Sequence, residues 1–272
     1  MITTDMHVHS SFSSDSNEDP KNIIDTAIQK GYSYVYFTDH HDIDFPVHPS
    51  EPNLDFQLNF EQYITTLSSL KEEYQNRIEV RIGVEMGICP DTVKKLAPLT
   101  QKYPFDFIIA SSHITSFSKG DPYYPEYYTS KNYVQDYREY FLSELENVRL
   151  TSSFDVYGHL DYALRYCPDP TFPYQFQDYA DIFEDLLKHL IEQGKGIEIN
   201  TSGITKIGHP HPHLEILKLY KKLGGEIITI GSDAHNKNNI GFHFDTAENL
   251  LKECGFSYYT VFQKRKPLFI PL

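Results

Sequence analysis

Thirteen histidines are the residues of this chain best suited to chemistry, and their placement is selective. His7 and His9 stand two apart in DMHVH. On an extended chain, side chains two apart point to the same side, so both imidazoles can reach one ion. An HxH pair alone says little, because two same-face histidines on a strand are commonly just packed. The placement recurs, however. Asp39 and His40 close YVYFTDH, Glu85 closes RIGVE, and His113 closes FIIASSH. His159 follows DVYG, Asn200 closes GIEIN, and Asp233 and His235 follow IITIGS. The donors are nitrogen and oxygen with no thiolate, a set that suits zinc, iron or manganese and disfavours iron–sulfur clusters or Cu(I). A structural zinc site closes with four ligands and usually includes cysteine. Here the donors outnumber one closed shell, which points to about two or three divalent ions with open positions, and so to catalysis. A carboxylate such as Glu85 can bridge two ions, and paired ions lower the pKa of a bridging water and clamp a phosphoryl group.

These groups meet only if the elements bring them together. Short apolar or β-branched runs fall at 2–8, 34–37, 78–84, 105–110, 154–157, 196–199, 227–230 and 258–262. Amphipathic stretches separate them. Asp19 with Pro20 reads as an N-cap opening a helix over 20–29, stopped by Gly31. Asn59 with Gln62 resembles a capping box before a helix to about residue 75. Ser130 is the expected cap of a helix reaching residue 147, 174–193 and 213–223 read as helices, and Asp245 with Glu248 repeats the capping-box pattern. Strands alternating with helices argue for parallel strands with helical crossovers. Seven or eight such units favour a barrel over an open sheet. In an α/β barrel the C-terminal ends of all strands face one mouth, where the histidines and carboxylates would converge. Two longer loops, 41–58 and 116–129, stand out, and loops of that length in a compact domain are often functional.

The length of 272 residues is near the roughly 250 typical of one α/β barrel. Net charge is −14, and no stripe of Lys and Arg is present to hold a phosphate polymer or an anionic membrane. A small phosphorylated ligand is not excluded, since bound cations invert the local field. Cys89, Cys167 and Cys254 are far apart with no CxxC, and the N-terminus has no basic then apolar leader, so a reducing, cytoplasmic setting is expected. No apolar run is long enough to cross a membrane. Near the expected mouth, Arg165 offers a planar fork for phosphate. Asp161 is a candidate to meet a substrate ammonium or to assist protonation, and Asn200 and Ser202 to hydrogen-bond there. His209 opens the run His209-Pro-His211-Pro-His213, which reads as a polar loop able to touch phosphate or imidazole. Of His40 and His41, one must point away from the ligands. His48, His189 and His243 read as surface or packing residues. The chain has 21 Tyr, 18 Phe and no Trp, an imbalance with no physical account at this level beyond amphipathic packing.

At these residues the sequence resembles the PHP family (polymerase and histidinol phosphatase), and within it the histidinol-phosphate phosphatases. The resemblance spans nearly the whole chain. It rests on DMHVHS with Ser13 and Asp15, TDHH at 38–41, GVE at 83–85, SSH at 111–113, GHLD at 158–161, EINTSG at 198–203 and GSDAH at 231–235. It implies a single PHP phosphoesterase domain over 1–272, folded as a distorted (β/α)7 barrel around a trinuclear centre of zinc, with iron or manganese as alternatives. Matched motif to motif, His7, His9, Glu85 and Asp233 would hold one ion. Glu85 would bridge to a second, which His113 also binds and to which His159 stands as a further ligand. Asp15, His40 and His235 would hold the third; Asp15 stands where some relatives carry histidine, which gives that ion one more oxygen. The implied reaction is hydrolysis of L-histidinol phosphate in histidine biosynthesis by a metal-bridging hydroxide, with Glu85, His159 and Asp161 as catalytic candidates. Another small monoester or a nucleotide as substrate, or a non-catalytic metal-binding module of the kind appended to polymerases, are the alternatives. The charge and the lack of a basic stripe count against nucleic-acid or membrane partners, and the accessory-module alternative would need a partner domain, so a freestanding enzyme is expected.

Overall fold

In the computed structural model, which describes residues 1–128 and 132–272, the apolar runs become a nearly closed parallel barrel. Its strands are β1 (Thr4–Asp5), β2 (Tyr34–Phe37), β3 (His40–Asp42), β4 (Glu79–Gly87), β5 (Phe107–Ser111), β6 (Val156–Tyr157), β7 (Gly196–Asn200) and β8 (Ile228–Gly231). The order is β1-β2-β4-β5-β6-β7-β8, with β3 continuing the path of β2 along the upper half of β4. That gives seven positions around the wall. The strands are short because the wall is steeply used: β4 pairs β2 through Glu79–Ile82 and β3 through Glu85–Gly87.

The seam between β8 and β1 is closed by backbone bonds past the formal strand ends. Met6 N–H donates to the Ile230 carbonyl at 3.1 Å, Asp233 N–H to that of His7 at 2.8 Å, and His9 N–H to that of Ala234 at 2.9 Å. Below them the fully buried Asp5 carboxylate accepts from the Ser232 N–H (2.9 Å) and hydroxyl (2.5 Å), the Gly241 N–H (2.8 Å) and the His7 N–H (3.3 Å). Burial pushes its pKa up to about 6 against the pull of these donors.

The outer helices are α1 (Pro20–Gln29), α2 (Phe60–Tyr74), α3 (Val93–Lys102), α4 (Tyr133–Leu150), α5 (Ala180–Glu192), α6 (Gly203–Ile207), α7 (Leu214–Lys222) and α8 (Phe244–Glu253). Asp19 caps α1 on Lys21 N–H at 2.8 Å, and Asn59 caps α2 on Gln62 N–H at 3.2 Å, as their spacing predicts. Other starts differ. Ser130 lies outside the described residues, and Asn132 caps α4. The stretch 174–179 is not helical: Phe176–Asp178 forms a single 3₁₀ turn, and the Tyr174 and Tyr179 rings stack at 5.7 Å, so α5 begins only at Ala180. Asp245 lies inside α8 rather than before it, because His243 takes the left-handed cap position at φ 59°. Glu248 is then free of the backbone and pairs with Lys252 and the terminal amine. The helix α3 carries Pro98 and no side-chain cap, which hides it from pattern reading.

The eighth apolar run is not a barrel strand. It is β9 (Tyr258–Gln263), paired antiparallel with β10 (Lys266–Pro271) through a two-residue turn in which Lys264 and Arg265 both have positive φ. This hairpin covers the N-terminal end of the barrel. Arg265 reaches Asp155 before β6 at 2.5 Å, and Lys264 N–H donates to Asp106 before β5 at 3.1 Å. Pro267 and Pro271 are tolerated because β10 is an edge strand.

The tyrosine-rich composition has a structural reason. Buried tyrosines send their hydroxyls to backbone carbonyls across element boundaries: Tyr36 to Phe262 (2.7 Å), Tyr63 to Gly83 (3.0 Å), Tyr128 to Ala163 (2.7 Å) and Tyr140 to Ser112 (2.6 Å). Each ring fills core volume and its hydroxyl satisfies an acceptor that a Phe would leave bare.

The seam yields the first expected outcome. Asp5→Ala strands several buried donors at once, so stability should fall by about 3 kcal/mol. Urea unfolding checks this; a loss below about 1 kcal/mol would show that the seam does not need the carboxylate.

Candidate metal centre

The C-terminal ends of the strands deliver their side chains to one point. His7 and His9 follow β1 two residues apart, as an extended chain requires. In β3 the same period turns His40 and Asp42 inward and His41 outward, where its Nδ1 accepts from the Leu58 N–H at 3.0 Å. At the focus is Glu85, with no solvent exposure. Its Oε2 lies 3.1 Å from His7 Nε2, 3.4 Å from His9 Nε2 and 3.0 Å from His40 Nδ1. Its Oε1 lies 3.3 Å from His113 Nε2 and 3.0 Å from His159 Nε2. Asp233 Oδ1 is 3.2 Å from His9 Nε2 and 3.7 Å from His7 Nε2. Asp15 Oδ2 is 3.0 Å from His235 Nε2 and 3.4 Å from His40 Nε2.

These contacts pair acceptors with acceptors unless something positive lies between them. His7 Nδ1–H donates to the Glu198 carboxylate at 2.6 Å, and His235 Nδ1–H to the Asp233 carbonyl at 3.0 Å. The far nitrogen of a neutral ring is then a lone pair aimed at a carboxylate. The buried Nε2 atoms of His7 and His9, Nδ1 of His40 and Oε2 of Glu85 have no hydrogen-bond partner. In the metal-free protein, protons supply the cation. Burial opposes charge on His7, but Glu198, Glu85 and Asp233 outweigh it and hold its pKa well above the ordinary value. His40 is raised the same way by Asp15 and Glu85, and His113 reaches about 10 through Asp42 and Glu85. Burial and the facing His40 and His235 push His9 down to about 3. Divalent ions would replace those protons. The donor geometry fits them: His7, His9 and Glu85; Glu85, His113 and His159; and His9, His40 and His235 each bring ligand atoms within 4.8 Å of one another. So does a fourth group, His40, Asp42 and His113.

Beside the centre, Arg165 is held from several sides. It donates to Ser202 Oγ at 2.5 Å and from Nε to His211 Nε2 at 3.2 Å, stands 3.7 Å from Asp233, and lies over the Tyr162 ring at 5.3 Å. Asn200 and Ser202 do not line the cavity. They brace Asp233 Oδ2 at 3.3 and 3.2 Å. Asp161 is fully buried, with its oxygens taken by His211 Nδ1 (2.5 Å) and His213 N–H (2.8 Å), so it does not reach a substrate ammonium. It acts on Arg165 through His211, whose pKa burial lowers to about 4. His209 also lies off the cavity: its Nδ1 meets the Pro210 carbonyl, and its ring packs on His213 at 4.7 Å.

Several participants carry signals weaker than the strand-end histidines. Glu198 shares the Asn200 face of β7, a charged residue in an apolar run two positions before a strand end. Asp42 repeats the face of His40. Asp39 accepts from Ser10 N–H (2.7 Å) and Ser13 Oγ (2.9 Å), and so fixes the loop carrying Asp15. Above the histidine–carboxylate cluster, the two long loops build one cavity of about 300 Å³. Loop 43–58 brings Phe45, Glu51 and Phe56; loop 116–128 brings Asp121, Tyr123 and Tyr124; Tyr162 and Tyr166 complete it. Tyr124 hydrogen-bonds Glu51 and stacks on His48 at 3.5 Å, which ties the loops together across the opening.

Comparison with known proteins agrees with this geometry. The histidinol-phosphatase of Lactococcus lactis is 33% identical over 98% of this chain and 96% of its own. A probable histidinol-phosphatase of Thermotoga maritima is 30% identical over 96% of each. The crystal structure of the Lactococcus lactis histidinol phosphate phosphatase, complexed with zinc, L-histidinol and phosphate, superposes with a TM-score of 0.86 at 31% identity, covering 98% of both chains. A putative histidinol phosphatase from Listeria monocytogenes shares the fold, with a TM-score of 0.75 at 18% identity over 89% of this chain and 99% of its own. The PHP domain matches residues 5–202. With its histidines and carboxylates gathered at the strand ends as described, this chain belongs to the PHP domain family.

Proposed function

We propose that this protein, as one phosphoesterase domain over 1–272, hydrolyses L-histidinol phosphate to L-histidinol and phosphate in histidine biosynthesis, using about three divalent ions, zinc or alternatively iron or manganese. The observation that carries this reading is a cavity with two unlike ends: a floor of imidazoles and carboxylates around Glu85, and a roof of carboxylates and aromatic rings. The near-full-length identity to histidinol-phosphatases supports the same substrate. His7, His9, Glu85 and Asp233 would hold one ion, Glu85, His113 and His159 the second, and Asp15, His40 and His235 the third. Bound there, the ions supply a lowered water pKa and a positive clamp for phosphoryl oxygens.

The chain's own residues do the rest. Arg165 is the fixed cation for a phosphate oxygen. The neutral His211 donates a hydrogen bond from Nδ1–H to the Asp161 carboxylate and accepts one at Nε2 from Arg165 Nε–H, so the guanidinium plane cannot rotate freely. Glu51 and Asp121 give the opposite end negative charge for a substrate ammonium, and the rings of Phe45, Phe56 and Tyr162 flank a planar imidazole. Burial pushes Asp121 up to about 7 in the metal-free protein. The loops roof a cavity of about 300 Å³, which suits a small ester rather than a polymer. Among the described residues no helix is long and apolar enough to cross a membrane, and we place the protein in the cytoplasm, with neither membrane nor nucleic acid as partner.

Elemental analysis of purified protein should return about two to three divalent ions per chain. Chelation should abolish phosphate release and added zinc should restore it; trace metal with chelator-resistant activity would sink the metal reading.

Glu85→Ala should lower kcat by more than about 10²-fold, beyond the effect of losing an outer-sphere partner, with the barrel's circular dichroism unchanged. Near-normal turnover would show that Glu85 does not join the ions.

A phosphate-release screen should favour L-histidinol phosphate over simple alkyl phosphates by at least about 10²-fold in kcat/KM, because a substrate without the amine would desolvate Glu51 and Asp121 with no cation to meet them. Asp121→Asn should narrow that gap, whereas Arg165→Met should weaken all monoesters alike. A flat wild-type profile would favour a general phosphoesterase.

A further inference from the structure

Asp42 is a buried carboxylate that the metal assignments leave without a task. It ends β3 on the His40 side, in register with Gly87 of β4. A Cβ on Gly87 would stand 1.8 Å from Asp42 Oδ1, so this position must stay bare for the carboxylate to lie where it does. Oδ1 meets His113 Nδ1 at 2.8 Å. Oδ2 is buried without a hydrogen-bond partner and lies 3.8 Å from His40 Nδ1. Burying a carboxylate costs free energy unless something positive or donating meets it.

Two arrangements compete for His113. It can join His40 and Asp42 through Nδ1, or Glu85 and His159 through Nε2. A neutral imidazole has only one lone-pair nitrogen, so it cannot coordinate through both. The distances decide. Nδ1 and Oδ1 sit at hydrogen-bond separation, while His113 Nε2 and His159 Nε2 converge on the same Glu85 oxygen at 3.3 and 3.0 Å. The same relation holds across the centre, where Glu198 takes the Nδ1 proton of His7 and leaves Nε2 facing Glu85.

We infer that Asp42 is a positioning residue for the second ion: it accepts the Nδ1 proton of His113, fixes that tautomer and ring plane, and so turns the Nε2 lone pair toward Glu85 and His159. Gly87 is the complementary feature, the gap that admits the carboxylate. The inference rests on the metal centre proposed above. It concerns ion retention, and no substrate is needed to test it.

The experiment compares wild type, Asp42→Asn, Asp42→Ala and Gly87→Ala by metal content and by competition with a chromogenic zinc chelator. The expected result is that Asp42→Asn holds one ion about 10–100-fold more weakly, with the other ions unaffected. Asp42→Ala, which removes the acceptor altogether, should lose at least as much. Gly87→Ala, with Asp42 present but displaced, should weaken the same ion. Excess zinc should restore the missing ion in all three. Zinc-induced stabilisation separates positioning from plain support: the stripped Asp42→Asn protein loses its pair with protonated His113 and is expected to melt lower, but zinc should also raise its melting temperature less than that of wild type. The assignment is overturned if Asp42→Asn and Gly87→Ala retain every ion as tightly as wild type, or if Asp42→Asn weakens the stripped protein as much as the loaded one. A wild type that takes up no metal overturns the metal centre and this assignment with it. A full wild type beside an equally full Asp42→Asn overturns this assignment alone.

Discussion

A carboxylate with no access to water needs positive charge around it, and five imidazoles surround Glu85, three on one oxygen and two on the other, placed to hold that charge as protons or as metal ions. Few folds can meet that constraint. The five imidazoles cannot all come from one strand, because an extended chain presents only alternate residues, such as His7 and His9, to a given face. They must also arrive at one height, which parallel strands ending at a common mouth provide. The short strands, the resumption of β2 as β3, and the bonded seam past β1 and β8 all serve to bring strand ends, rather than strand bodies, to Glu85.

A second circle of acceptors makes the first one usable. Glu198 on His7, Asp42 on His113 and the Asp233 carbonyl on His235 each take a proton on the outer side of a ring. The inner nitrogens are left with lone pairs that demand a cation. Asp161 extends the same logic to Arg165 through His211, so even the cavity-facing guanidinium is oriented by a buried carboxylate. An acidic chain can therefore hold an anionic ligand. Its negative charge is spent on orienting cations, and the cations face the cavity.

This division explains what was legible in the residues alone. The strand-end histidines and carboxylates could be read because each closes an apolar run, and a barrel sends every such end to one place. The orienting groups were harder, since Glu198 and Asp42 differ from an ordinary strand residue only by being charged on a buried face. Asp161 was misplaced for the opposite reason: a carboxylate next to the motif histidine reads as substrate-facing, but its backbone position turns it toward His211. The final apolar run, 258–262, has the composition of a barrel strand, and only its partner β10, disguised by Pro267 and Pro271, shows that it plugs the opposite end. The roof of the cavity was legible as two long loops. Which of their residues face inward depends on contacts such as Tyr124 with Glu51, which join segments 73 positions apart.

Floor and roof answer to different physical demands. The floor must match the geometry of metal ions and phosphate, which every monoester shares, so its residues are constrained by one another: moving His113 disturbs Asp42, Glu85 and His159 together. On the proposed function the roof would meet the leaving group, and its side chains hang on loops tied across the opening by aromatic packing and hydrogen bonds such as Tyr124 with Glu51. A substitution at Phe45 or Tyr123 has no ligand geometry to break. On the proposed function, chemistry would therefore reside in the strand ends and choice of substrate in the loops, and the two could vary independently because no residue of the roof closes the shell around Glu85.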